Sequence, residues 1–505
     1  MLIGRKAPAL ICAVGILCAC SPSGDDPTAQ AQPTNSAETD AIVQIVDEAM
    51  TDRHLRAVLV RVSQGGEEIV TRAFGESMTG VPATTDMHFR NGAVAISYVA
   101  TVLLQLVDEG VAGLDDRVSQ WLPDLAHADR VTLGQLAQMT SGYPDYVLGN
   151  DEFADASYAD PFRAWTPDEL LAYATSKPLL YEPGTNWNYA HTNYVILGSA
   201  LEEITGRPMD ELVRERVLEP LGLDGTTASQ TAAMPDPVLH AFSSERREFL
   251  GVPAGTPFYE ESTFWNPSWT ITSGAVQTST IFDLHDTAVA IGTGELLSEE
   301  SYAAMVSTDL RGRTHAQPDC STCFEQSEAY TYGLGVVITG DWLMQNPMFG
   351  GYSAVEAYLP EQEVAIALAV TYEPEAFDDT GGYVNEADAL FRRIAAEVAP
   401  DHAPPTHERP AATEPAGRIG VRRGVGQVFR KSRSEPAHSP AHSRSSTARI
   451  FDPLPPTVVG IRSMTWIAVG TLKAARVSRH QARRVSEVVS AGASSVGTTK
   501  PIASV

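Results

Sequence analysis

The chain has 505 residues, 43% of them hydrophobic and 20% charged, which is enough apolar material for a large core and more length than one core usually supports. The formal net charge is −27, but it is unevenly divided: residues 401–505 carry 16 Lys+Arg against 6 Asp+Glu, which leaves a net −37 on residues 1–400. So acidic a body disfavours nucleic acid and anionic membrane surfaces as partners and suits a salty or cation-rich medium, although it also fits an acidic proteome with no partner implied.

Arg5 and Lys6 precede an apolar run from Ala7 to Ala19 that is too short to remain as a membrane span, so residues 1–19 read as an export leader. The run ends Leu17-Cys18-Ala19-Cys20, which is similar to a bacterial lipoprotein box. That resemblance implies lipidation of Cys20 and a chain anchored to the cell envelope, facing the periplasm or exterior. An ordinary cleaved leader with incidental cysteines is the alternative. Residues 20–38, rich in Ser, Pro, Asp, Gln and Thr, read as a flexible spacer. Two cysteines remain in the body, Cys320 and Cys323, and in an oxidising compartment they are expected to form a small loop disulfide. A zinc site would need further ligands, of which His315 supplies at most one, so no metal or other cofactor is expected.

From Thr39 to Thr51, Ile42, Ile45, Val46 and Met50 recur at helical spacing. A β-rich run from Arg56 to Ser63, a Gln-Gly-Gly turn and a second run from Glu68 to Gly75 predict a hairpin. The stretch from Met87 to Gly113 then opens with Phe89-Arg-Asn-Gly and continues as a helix with Ala93, Ile96, Ala100, Leu103 and Val107 on one face, which should be buried. Residues Pro167 to Leu223 are helical with short breaks. Thr272 to Leu284 leads back toward strand-like runs at Tyr332–Ile338, Gly351–Pro360 and Glu363–Thr371, and Glu386–Val398 reads as a closing helix. Beyond Pro400 the composition turns to Pro, Ser, Ala and Arg without periodicity, which predicts a basic, disordered tail over 401–505.

This order of elements, with Gln105-Leu-Val-Asp-Glu-Gly-Val-Ala-Gly-Leu-Asp-Asp, Val131-Thr-Leu-Gly-Gln-Leu-Ala-Gln-Met-Thr-Ser-Gly and Tyr181-Glu-Pro-Gly-Thr-Asn-Trp-Asn-Tyr-Ala-His, resembles the serine β-lactamase and penicillin-binding-protein family, including class C β-lactamases and D-alanyl-D-alanine carboxypeptidases. The resemblance covers roughly residues 39–400. It implies an α+β, β-lactamase/transpeptidase-like fold: an antiparallel sheet flanked by helices, with an inserted mostly α domain. The α/β part would be 39–110 and 270–400, and the helical part 111–269.

The family's mechanism uses a Ser-x-x-Lys pair on one helix face, a Tyr-x-Asn second motif and a basic third motif on an edge strand. Matched onto this chain, the nucleophile position is Ala93 and the lysine position Ile96. The second-motif tyrosine is Tyr189, with His191 at the asparagine position. The third motif falls on Gln345-Asn346-Pro347 or, with a shorter loop, on Met348-Phe349-Gly350, and Met139 stands where a histidine is usual. No Ser-x-x-Lys occurs anywhere, and Lys177 is the one lysine between leader and tail. Ser97 is the weakly supported candidate for a displaced nucleophile. The leading expectation is a catalytically inactive envelope lipoprotein that binds peptidoglycan peptides, a β-lactam-like small molecule or a protein partner. The alternatives are an active carboxypeptidase, β-lactamase or esterase working through non-standard groups around Tyr189 and His191, and a structural remnant without ligand.

Overall fold

Alternating aliphatic residues make Leu55–Gln64 (β1) and Glu67–Met78 (β2) a hairpin, and its two-residue turn sets the register. Gly65 and Gly66 both have positive φ, 57° and 81°, as a turn matching the twist of the two strands requires. These coordinates are a computed structural model that describes residues 36–406 apart from Gln230 and residues 273–275. The leader, Cys20, most of the spacer and most of the basic tail lie outside the described residues. All described residues belong to one compact unit.

The hairpin is one side of a nine-stranded antiparallel sheet. The later strands are Thr331–Tyr332 (β3), Val337–Thr339 (β4), Trp342–Gln345 (β5), Met348–Phe349 (β6), Tyr352–Leu359 (β7) and Val364–Tyr372 (β8). Starting at the two-residue strand Val81–Pro82, the order is β2, β1, β8, β7, β5, β4, β3, with β6 paired to β7. The unbroken apolar run of β8 has no exposed residue, because helices cover both faces of the sheet there. Ser36–Asp52 (α1) and Glu386–Val398 (α5) pack together against the sheet, and Ile281–Thr293 (α4) lies on the opposite face. The faces are fixed by side chains: Ser353 of β7 is bonded to the backbone N–H of Ala387 in α5, whereas Tyr358 touches Gly292 of α4.

Between β2 and β3 the chain builds the helical half. Val94–Asp108 (α2) is buried on nearly every side, and it packs against His191–Thr205 (α3) and the helical turns of residues 209–218. A small sheet of Phe89–Arg90, Gln277–Ser279 and Thr227–Ala228 holds the segment that enters α2. The α+β architecture with an antiparallel sheet flanked by helices is therefore the one expected from the sequence.

Two boundaries differ from the reading by composition. Helix α1 begins at Ser36, inside the predicted spacer, and residues 401–406 pack on the domain instead of starting the tail. The Trp342 indole N–H donates to the carbonyl of His402 at 2.7 Å, and Arg392 donates to that of Pro405 at 2.9 Å. These backbone acceptors carry no compositional signature, so the change to Pro-rich sequence at residue 400 misplaced the edge. Among the described residues no helix is long and apolar enough to cross a membrane.

The sheet buries a carboxyl group. Glu356 in β7 shares a face with Tyr358, is 1% exposed, and its Oε1 has no hydrogen-bond partner among the described residues. Burial pushes its carboxyl well above the ordinary value of 4.5. The folded state thus holds a proton that the unfolded chain releases above pH 4.5, and stability falls as pH rises from there by up to about 1.4 kcal/mol per pH unit. Glu356→Gln is expected to shrink the loss of melting temperature between pH 5 and pH 8 and to stabilise the protein at the upper end by about 1–3 kcal/mol. Thermal unfolding across that range checks it, and an unchanged pH slope in the variant would show that Glu356 folds ionised.

Candidate functional site

The N-terminus of α2 reaches the surface at Ala93, which caps the helix with no side-chain hydrogen bond and is partly exposed. One turn on, Ile96 is completely buried. Ser97 is also buried, and its hydroxyl donates to the carbonyl of Val94 at 2.7 Å, so it is a helix-bound hydroxyl with no route to a substrate. Lys177, the one lysine among the described residues, is exposed in the loop before Tyr181.

The residue before Ala93 meets the connection between β5 and β6. Gly92 has φ +50°, and a Cβ there would lie 2.8 Å from the Cβ of Pro347, so the turn is closed to larger residues both by conformation and by contact. Pro347 ends the Gln345-Asn346-Pro347 run, which places that run beside the α2 terminus. Gln345 is buried and donates through Nε2 to the carbonyl of Gly335 at 2.7 Å. Gly335 in turn lies against Ala100 and the carbonyl of Ile96. Asn346 points elsewhere, to Asp388 of α5 at 3.1 Å. No cation occupies this run in either alignment.

Tyr189 and His191 stand at the start of α3, whose N-cap is Ala190. Their rings meet edge to face with centroids 5.3 Å apart. Burial, reinforced by the neighbouring Tyr330 and Asp145, holds the Tyr189 hydroxyl well above the usual phenol range, so at neutral pH it is a phenol and not a phenolate. A tyrosine serving as a base needs an adjacent cation to reverse that shift, and position 96 offers an aliphatic chain.

What organises this corner is Asp145, a residue the motif reading did not single out. Its buried carboxylate accepts from the backbone N–H of Val147 (3.2 Å), Leu148 (3.1 Å) and His191 (3.0 Å), and from His191 Nδ1 at 3.0 Å. It therefore ties the loop after Tyr143 to the first turn of α3 and satisfies an N–H that the helix leaves open. Because the carboxylate accepts, Nδ1 carries the ring proton and Nε2 is left with a lone pair. Among the described residues Nε2 has no hydrogen-bond partner.

His191 also lines a partly open cavity of about 60 Å³. Its walls are Tyr158, Trp165, Trp265, Trp269, Phe349 and Tyr383, and its polar side chains include Glu245 and Asp160. Trp269 stacks on Phe349 with centroids 5.7 Å apart, and Tyr146 fixes Trp269 by donating its hydroxyl to that residue's carbonyl at 2.6 Å. Met348 and Gly350 complete the rim. The shorter-loop candidates for the third motif thus line the cavity, whereas Gln345-Asn346-Pro347 meets α2.

Sequence reasoning singled out Ala93, Ile96, Tyr189, His191 and Gln345, and it did not single out Asp145, Glu245 or the tryptophan wall. One signal was available: three of the seven tryptophans, Trp165, Trp265 and Trp269, fall in the inserted region and converge here. Cys320 and Cys323 form a disulfide with Cα atoms 5.4 Å apart.

Comparison with known proteins agrees with this architecture. A family model described as Beta-lactamase matches residues 42–391. Penicillin-binding protein 4 of Amycolatopsis lactamdurans is 35% identical over 184 residues, 35% of this chain and 46% of that protein. Esterase EstB of Burkholderia gladioli is 32% identical over 213 residues, 39% of this chain and 53% of that protein. The chain thus spans about half the length of these curated relatives. A D-stereospecific amidohydrolase from Streptomyces superposes with a TM-score of 0.57 at 25% identity, covering 73% of this chain and 99% of that one.

If Asp145 is the structural tie of the corner, Asp145→Asn should cost about 2–4 kcal/mol, since an amide cannot accept from every donor now served and leaves buried N–H groups unpaired. His191→Ala should cost about 1 kcal/mol, because it removes one bond and leaves the backbone donors served. Urea unfolding of the two variants measures the difference, and equal losses would assign the stabilisation to the imidazole instead.

Proposed function

The chain belongs to the beta-lactamase family, and we propose that it is an envelope-located, ligand-binding member that does not form an acyl-enzyme. The observation that carries this reading is the pair at α2: Ala93 presents a methyl group at the helix terminus, and Ile96 one turn later is wholly buried and cannot titrate. Serine hydrolases of this kind need an oxygen nucleophile and a base on one helix face, and no lysine among the described residues stands near enough to supply the second. Loss of nucleophile and base together leaves only the contributions of cleft and positioning, about 10³–10⁴ over water by analogy with other hydrolases.

The ligand proposed is a peptide or amide of the kind such clefts accept, peptidoglycan peptides or a β-lactam-like small molecule, with a protein partner as a further possibility. Support comes from two separate juxtapositions: Gly92 at the α2 terminus lies against Pro347, and His191 shares a cavity with Met348, Phe349 and Gly350. Relatives named as a penicillin-binding protein and an esterase favour an acyl compound as ligand. An envelope location is in keeping with the penicillin-binding relative and with the lipoprotein-like ending at Cys20.

A second reading rests on a separate observation, the His191–Asp145 pair. With Nδ1 held by Asp145 and Nε2 open to the cavity, His191 can take a proton from water as the water oxygen attacks an ester carbonyl; the proton then passes to the departing alkoxide. This would be slow, non-covalent hydrolysis.

Two measurements separate these readings. A fluorescent penicillin is expected to leave no covalent label on the wild-type chain and nitrocefin to remain intact; labelling of the unaltered protein would falsify the inactive reading. Any p-nitrophenyl acetate hydrolysis above the buffer rate should fall by about 10²-fold or more in His191→Ala if the dyad supplies it. Hydrolysis unaffected by that substitution would exclude the dyad.

A further inference from the structure

The cavity beside His191 has a chemistry that acyl recognition does not explain. Its walls are aromatic, yet the carboxylate of Glu245 lines it with little to compensate its charge. The one hydrogen bond it receives from a side chain comes from Ser243 Oγ at 2.8 Å. Among the described residues no cation lies within ion-pair distance of it. The adjacent Arg246 is committed elsewhere, to Glu260 at 3.0 Å and to the carbonyl of Tyr158 at 2.9 Å. A half-buried carboxylate beside indole and phenol rings loses part of its hydration and gains once a cation enters, because the ring faces and the carboxylate attract the same charge.

We propose that this cavity is a subsite for the primary ammonium group of an amine ligand, with the ammonium on Glu245 and the adjoining carbons against Trp165, Trp265 and Trp269. The room available, about 60 Å³, admits an ammonium head and a short alkyl chain and excludes a whole peptide, so the rest of a larger ligand would extend toward His191 and the Met348–Gly350 rim. The inference deepens the ligand-binding reading by naming a class: amides, esters or peptides that carry a free amino group. A net −37 on residues 1–400 favours the approach of such cations.

The site should also be sensitive to pH. Burial, with the nearby Glu260, pushes the Glu245 carboxyl up to about 7. Below that value Glu245 is protonated and holds no cation; above it the carboxylate is available, so amine affinity rises with pH through neutrality. The other groups around the cavity are Arg246 and Glu260 on the same hairpin segment, Tyr158 and Asp160 at the end of the 151–159 helix, His191 in α3 and Tyr383 before α5.

The test is a titration of the full chain with n-butylammonium chloride at pH 8, followed by tryptophan fluorescence at constant ionic strength, with n-butanol as the neutral comparator. Saturable binding is expected for the amine, about tenfold weaker for the alcohol and about tenfold weaker for the amine in Glu245→Gln. Amine affinity of the wild type should decline from pH 8 to pH 6 and should still do so in His191→Ala. Equal affinity for alcohol and amine, or no pH dependence in the His191→Ala protein, overturns the proposal. The pH profile stands even if Glu245→Gln does not fold. Penicillin labelling reports on Ala93 and Ile96 and amine binding on Glu245, so failure of one proposal is distinguishable from failure of the other.

Discussion

Helix α2 is apolar over most of its circumference, with Ser97, Thr101, Gln105 and Asp108 forming one narrow polar strip, and the cleft takes its shape from the enclosure this demands. Such a helix must be covered along most of its length, so α3, the helical turns of residues 209–218 and the Glu299–Met305 helix pack around it, leaving Ala93 partly exposed at one end and Asp108 exposed at the other. At position 96 an ammonium would have to be desolvated, at a cost of several kcal/mol unless it is paired. An isoleucine instead gains about 1.5–3 kcal/mol from the same burial. The residue present is the one packing alone would select. Ala93 follows the same logic, since a small helix-forming residue at an unstrained cap places no demand on its neighbours.

The polar organisation of the cleft has a different centre from the one the family's motifs would give it. Those motifs concentrate charge at the first turn of α2; here it gathers at the first turn of α3, where Asp145 accepts from three backbone N–H groups and one imidazole. Tyr189 lies between the two centres. With no cation at position 96 its hydroxyl stays a phenol, and its ring packs against His191. The fold therefore supports a lone-pair acceptor at His191 Nε2 where the family's asparagine would offer an amide.

Where the sequence was legible, one physical pattern carried the signal. The closing helix Glu386–Val398 and the hairpin around Gly65-Gly66 follow from spacing alone, because helix and strand periods are local and each residue reports its own face. The motif positions were assigned from the order of their flanks, which is a property of the sequence alone. Asp145 was not, since its role is made by backbone N–H groups that every residue possesses, one of them 46 positions away. Glu245 was hidden for a related reason: Ser243-Ser-Glu-Arg-Arg reads as an ordinary solvated turn, and only the fold brings Trp165, Trp265 and Trp269 onto it. The edges of the domain failed by the opposite route, as composition spoke of spacer and tail while carbonyls of His402 and Pro405 accepted bonds from the core.

The two carboxylates of this region make the difference between structure and site explicit. Asp145 reaches the cavity only through His191, and with four donors satisfied it has no demand left for a ligand to meet. Glu245 lines the cavity directly and receives one hydroxyl bond, among rings whose faces favour positive charge. Both are acids near one imidazole, so residue type does not separate their roles. What separates them is how completely each is served by the protein itself. A fully served carboxylate fixes the loop, and a poorly served one marks the place where the molecule is incomplete without a cation.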